Sequence, residues 1–402
     1  MLGRGFLRGV GDFLQWIGHD RKGGCFSRAN RAREAYERRS PWSSVWRTKM
    51  KNVQSLVREE VANQKAYSIE DTPARVKLDA NENPYPLPPR LRSKLSAAMR
   101  SVELHHYPEP GSTSLRRAYA KHFGVDEDMI LIGNGSDEAI AILCTTMARP
   151  GATILIPVPT FAMYRISALN NGYRVLEAPL DEQGDLDIEV MEQQLRTDKP
   201  AITFLSYPNN PTGGCFRADR VERLIKASPG VVVVDEAYFH FSGRTFLPKL
   251  KQYDRLVILR TLSKVGLAAM RIGFLIGAPE LVRELNKVRL PYNMNALSQV
   301  AAAFYLEHET AFLEQTTRIR QERERLMRSL CSIRGVQACP TDANFIFFCC
   351  KFREDDVYQA LLREGILVKK FSRPGAASGI RVTVGTRKEN GEFLRIVRSV
   401  LV

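Results

Sequence analysis

The chain has 402 residues, 44% hydrophobic and 26% charged, with a formal net charge of +15. That balance suits a soluble globular protein with room for two domains, and no apolar run approaches the roughly eighteen residues of a membrane span. The seven cysteines have no metal-ligand spacing and are odd in number, which reads as free thiols in a reducing compartment, and the six histidines form no HxxxH or HExxH pair, so a metal site has no support.

Charge is uneven along the chain. Residues 1–49 hold nine Arg and two Lys against Asp12, Asp20, Glu34 and Glu37, a net of +7. Phe13, Leu14, Trp16 and Ile17 fit a short basic amphipathic helix. Three readings stand for this extension: a sequence upstream of a start at Met50, which we favour, an Arg-rich transit peptide, or a nucleic-acid-binding arm. The rest has 48 basic and 40 acidic residues, a net of +8 that suits anionic ligands and equally a face of solvated lysines.

From Val53 to Tyr67 the chain is polar with apolar residues at helical spacing. Lys77 to Pro86 reads as an extended segment turning at two prolines, in which Asn and Glu are turn formers. A helix is expected at about 88–102, and His105 to Gly111 forms an exposed turn. Alternating strands and helices follow, the pattern of an α/β fold. Strands are expected at 129–132, 153–156, 201–205, 231–234 and 256–259. Beyond them, a long charged helix over about 306–333 links to a second region. There Asn344–Phe348 is a strand, Val357–Glu364 a helix, and Arg381 heads a last strand.

The polar residues after these strands carry the chemistry. Gly133-Asn134-Gly135-Ser136-Asp137-Glu138 leads into a helix expected near Ala139, and backbone N–H groups at such an N-terminus cradle phosphate. Phe161 follows the second strand and offers a stacking ring. Asn210 follows the third and offers a hydrogen bond to a ring oxygen. Asp235 ends the Val231–Val234 run, and Lys264 follows the strand at 256–259. Arg271, seven residues beyond Lys264, suits a phosphate dianion. A lysine beside a buried carboxylate forms Schiff bases with a pyridine aldehyde while the carboxylate holds the ring nitrogen protonated, which is pyridoxal-phosphate chemistry. Each residue alone has an ordinary explanation as a cap, turn or core residue; their occurrence after successive strands does not.

The segments LDANENPYP (78–86), SYPNNPTGG (206–214), DEAY (235–238), RTLSK (260–264) and IRVTVGT (380–386) resemble the fold-type-I pyridoxal-phosphate aminotransferases, most closely the histidinol-phosphate aminotransferases. The likeness runs from about Val53 to the C-terminus. It implies an α/β fold, with a large domain on a mixed, mostly parallel seven-stranded sheet and a smaller α+β domain. The divisions expected are the extension 1–49, an arm at 50–95, the large domain 96–315 and the small domain 316–402. It implies pyridoxal 5'-phosphate as cofactor and transamination between L-histidinol phosphate and 2-oxoglutarate, giving imidazole acetol phosphate and glutamate, in a cytoplasmic enzyme of histidine biosynthesis. Lys264 would be the Schiff-base lysine and proton shuttle, Asp235 the ring-nitrogen partner, and Tyr238 and Asn210 the partners of the phenolic oxygen. Phe161 would stack on the ring, with Ser136, Asp137, Ser263 and Arg271 at the phosphate. Tyr107 would reach the partner subunit's cofactor, which implies a homodimer with shared sites. Arg381, Lys369 and Tyr67 would contact substrate. Many relatives have arginine where Lys369 stands, and lysine loses the two-pronged contact, with Lys370 or Arg373 as replacements. A related aminotransferase for aromatic or other amino acids, or a phosphothreonine decarboxylase, would share the cofactor residues. A transcription regulator built on this scaffold would need a winged-helix domain, which 49 Gly- and Arg-rich residues do not supply. No nucleic-acid or membrane partner is expected.

Overall fold

The five apolar runs read as strands at 129–259 form part of a seven-stranded sheet. The computed structural model describes residues 56–64, 73–351, 353–371 and 378–401. The extension 1–49, Tyr67 and Arg373 lie outside the described residues, and of the stretch 53–67 a single helical turn, Glu59–Ala62, is described. In chain order the strands are β1 (Val76–Lys77), β2 (Ile130–Asn134), β3 (Thr153–Val158), β4 (Arg174–Pro179), β5 (Ile202–Ser206), β6 (Val231–Asp235), β7 (Leu256–Thr261), β8 (Ile272–Ile276), β9 (Gln337–Ala338), β10 (Phe345–Cys349), β11 (Ile366–Leu367), β12 (Lys369–Phe371) and β13 (Gly379–Thr383). The large sheet has the order β2-β8-β7-β6-β5-β3-β4. Only β8 runs antiparallel to its neighbours in it.

Why these runs are continuous rather than alternating is clear from where their side chains go. Ile130, Ile132, Val232, Val234, Leu256 and Ile258 enter one core, while Leu131, Val231, Val233, Val257 and Leu259 enter another on the opposite face. A parallel sheet covered by helices on both faces needs both sets apolar. Helices Ser136–Met147, Ala162–Asn170, Ile188–Asp198 and Ala218–Ala227 each follow one strand and precede the next. The Asp187 side chain caps one of them by accepting the Val190 N–H.

A second sheet has the order β12-β13-β10-β9, and β1 pairs in parallel with β11. Together they surround a third core that includes Phe345, Phe348, Val382 and Phe393.

Several expectations need correction. The helix placed near Ala139 begins at Ser136, because Gly135 at φ 82° turns the chain sharply enough to start it one residue on. A helix at Ala296–Glu307 was not expected; His308 (φ −128°) separates it from Glu309–Cys331, which is the long helix placed over about 306–333. The first of these has few charges to mark an outward face, so its spacing gave no amphipathic signal. Arg381 does not head its strand; it is the middle residue of β13, opposite Lys369 on one side and Phe347 on the other.

Candidate active site

A cavity of about 320 Å³ opens where the strands of the large sheet end. Parallel strands β3, β5, β6 and β7 deliver Pro159–Phe161, Ser206, Asp235 and Thr261 to it from their carboxyl ends. Arg271 precedes β8 rather than following it; because β8 is antiparallel, its start lies at that same edge. Segments 79–81 and 367–371, with Arg381, close the other side.

Lys264 lies in the turn Ser263–Leu267 just past β7. Its Nζ donates to the Ala80 carbonyl at 3.1 Å. Burial, and then the positive charge of Arg381, lower its pKa to about 8. Asp235 is buried and accepts two hydrogen bonds, from Tyr164 Oη at 2.8 Å and from the Ala237 N–H at 3.1 Å. Desolvation outweighs both and raises its pKa to about 6. A cationic ring nitrogen brought to this carboxylate would relieve that penalty. Tyr238 is buried, and burial raises its phenol above the ordinary range.

At one end of the cavity stand Ser136 and Asp137, the first residues of their helix, with Ser263 and Arg271. Arg271 donates to Asp137 at 2.9 Å and to Ser263 Oγ at 3.4 Å. Gly273 is what lets this end form: a Cβ there would sit 2.3 Å from the Gly135 carbonyl carbon and 2.3 Å from the Ser136 nitrogen. Free N–H groups at a helix start, two hydroxyls and a guanidinium are a phosphate-binding set.

At the other end, Arg381 donates to Asn210 Oδ1 and to the Asp79 carbonyl, both at 2.5 Å. Lys369 faces Arg381 across the β12–β13 pair, and both line the cavity. Lys370, on the alternate face, pairs with Asp355. Phe161 lines the cavity edge-on to Tyr164. Tyr107 does not: it is 80% exposed and stacks on Tyr292, 4.5 Å between ring centroids.

The class I and II aminotransferase family model matches residues 74–397. A histidinol-phosphate aminotransferase 2 of Nitrosococcus oceani is 42% identical over 86% of this chain and 98% of its own length. The histidinol-phosphate aminotransferase of Aquifex aeolicus is 40% identical over 84% and 96%. The chain belongs to the class I and II aminotransferases. A solved histidinol-phosphate aminotransferase of Sinorhizobium meliloti, in complex with pyridoxal-5'-phosphate, superposes at a TM-score of 0.75 and 23% identity, covering 82% of this chain and 91% of that one. The likeness is one of fold, and the fold is the expected fold-type-I arrangement.

Residues of this aminotransferase that the sequence reading passed over now stand out. Tyr164 holds the Asp235 carboxylate and lies three positions, about one helical turn, beyond Phe161, a spacing that could have drawn attention to it. Asp79 and Ala80 hold Arg381 and Lys264 through their carbonyl oxygens, which no side-chain pattern signals. Asn81, read as a turn former, is buried against Tyr238.

Proposed function

We propose that this aminotransferase uses pyridoxal 5'-phosphate to move the amino group of L-histidinol phosphate to 2-oxoglutarate, giving imidazole acetol phosphate and glutamate. The observation that carries the reading is one cavity that holds a lysine amine, a buried carboxylate and a helix N-terminus with its own arginine. These residues fit the cofactor. Ser136, Asp137, Ser263 and Arg271 would hold its phosphate, Asp235 its ring nitrogen, Tyr238 and Asn210 its phenolic oxygen, and Phe161 one face of its ring. When bound, the group supplies the electron sink that stabilises a carbanion at the substrate carbon.

The protein's own work is positioning and proton transfer. Lys264 is the amine that would hold the cofactor aldehyde, and its free amine would be the base that moves the proton at the substrate carbon bearing the amino group. Asp235 must be ionised to serve the ring nitrogen, and Tyr164 and the Ala237 N–H hold it in place. Arg381 and Lys369 supply positive charge for the phosphate of one substrate and the carboxylates of the other. Tyr67 is proposed to contact substrate too, on resemblance alone.

The relatives at about 40% identity support the substrate assignment, since both carry it in their names. Their bacterial sources support a cytoplasmic enzyme of histidine biosynthesis, and no helix among the described residues is long and apolar enough to cross a membrane. We further propose the domain division at 96–315 and 316–402, supported by the separate cores around the two sheets, and a homodimer with shared sites. Leu104, 80% exposed, lines a surface groove with Tyr107 and Tyr292, and Leu290, 70% exposed, lies two residues before Tyr292, which supports the dimer.

Lys264→Ala tests the reading. It should retain the fold by circular dichroism, lose the visible absorbance of the lysine-bound cofactor, and lose transamination by at least about 10⁴-fold, the combined scale of a lost nucleophile and base. Turnover near the wild-type rate would exclude Lys264 as the reacting amine.

A further inference from the structure

Asn81 is 1% exposed and adopts a left-handed backbone at φ 56°, which asparagine tolerates better than most side chains. Its own N–H donates to Thr383 Oγ1 at 3.0 Å. The Thr383 hydroxyl in turn donates to Asn81 Oδ1 at 3.2 Å. With Oδ1 toward the Thr383 hydroxyl, the amide presents Nδ2 to Tyr238 Oη at 2.9 Å. The Asn81 carbonyl is held as well, accepting from Asn344 Nδ2 at 2.9 Å.

An amide nitrogen can only donate, so the Tyr238 oxygen accepts here and keeps its single proton for another partner. Among the described residues no acceptor for that proton is seen, and Tyr238 lines the cavity. We propose that Asn81 is a positioning residue that aims the Tyr238 hydroxyl proton at the phenolic oxygen of the bound cofactor and so lowers the proton affinity of the lysine–cofactor linkage. The inference rests on the cofactor reading above. The chemistry is direct: a hydrogen bond to the phenolic oxygen withdraws negative charge that would otherwise favour the protonated linkage. Asn81 also lines the cavity, and in this role it acts through Tyr238. Its donated N–H also favours the phenol's anion, which makes the hydroxyl a better donor.

The test is a pH titration of the visible absorbance of the holoenzyme, with no substrate present. Asn81→Asp keeps the left-handed backbone and the Thr383 bond but replaces the donor with an acceptor, which turns the Tyr238 proton away from the cavity. It should raise the apparent pKa by about one unit, and Tyr238→Phe should do the same. In a Tyr238→Phe background Asn81→Asp should add no further shift. Thr383→Val, which preserves shape but frees the amide to rotate, should shift the pKa in the same direction by less. An Asn81→Asp shift of equal size in both backgrounds would show that the new charge acts directly and would overturn the proposal. No shift from either Asn81→Asp or Thr383→Val would overturn it too. A wild-type protein without the visible band would remove the cofactor reading itself, and with it this inference; a normal band with unshifted variants removes the inference alone.

Discussion

The amine of Lys264 sits beside Arg381 in a cavity that strips it of water, and both conditions favour its neutral form. The neutral amine is the nucleophile, so cofactor capture by the cofactor-free enzyme should follow the unprotonated fraction. We expect the rate of absorbance gain on adding pyridoxal phosphate to rise with pH through a midpoint near 8, the pKa to which burial and Arg381 lower this lysine. A rate still climbing toward the ordinary lysine range would contradict the assigned environment. Most of the residues that bond by side chain were legible in the sequence, since Lys264, Asp235, Tyr238, Asn210, Arg271 and Arg381 all line the one cavity, while the side chains of Tyr164 and Asn81 were passed over. Those that act through main-chain atoms, such as the carbonyls of Asp79 and Ala80, were not legible. Their role comes from where a strap crosses the site, and that is set by β1 pairing with β11 nearly 300 residues away.

At the scale of elements, the phosphate end is built by a strand and a helix turn in backbone contact. Gly273 in β8 leaves no room for a side chain against Gly135 and Ser136. Gly273→Ala should therefore push the helix start away from β8, costing about 1–3 kcal/mol of stability as overpacking does. Because the displaced groups are the phosphate cradle, cofactor affinity should fall as well. Denaturation midpoints and cofactor titration check both, and an alanine variant with unchanged midpoint and affinity would deny the contact its role. Strands β2, β3, β5, β6 and β7 were legible because runs such as Val231–Val234 are apolar on both faces, whereas the edge strand β4, partly exposed, was not. Nor was the apolar helix before His308, which carries no stripe to show where it starts or stops. Arg381 was assigned correctly to a strand and wrongly to its head: a lone arginine gives no register, which the pairing of β13 with both β10 and β12 supplies.

For the whole molecule, the exposed Leu104, Tyr107 and Leu290 form the surface expected to be covered in the proposed dimer. Leu104→Asp combined with Leu290→Asp should give a single-chain mass in sedimentation, with activity falling alongside if the site is shared; a doubled mass in the variant would move the interface elsewhere. The central claim concerns substrate, and Lys369 and Arg381 are the cations that line that side of the cavity. The most direct test is one half-reaction. The holoenzyme is mixed separately with L-histidinol phosphate, phenylalanine and phosphothreonine, without any oxo-acid, and loss of the visible cofactor band is followed in time. The account predicts rapid conversion by L-histidinol phosphate, at least about 100-fold faster than by phenylalanine, which lacks the phosphate that Arg381 and Lys369 would bind. Faster conversion by phenylalanine or phosphothreonine would contradict it.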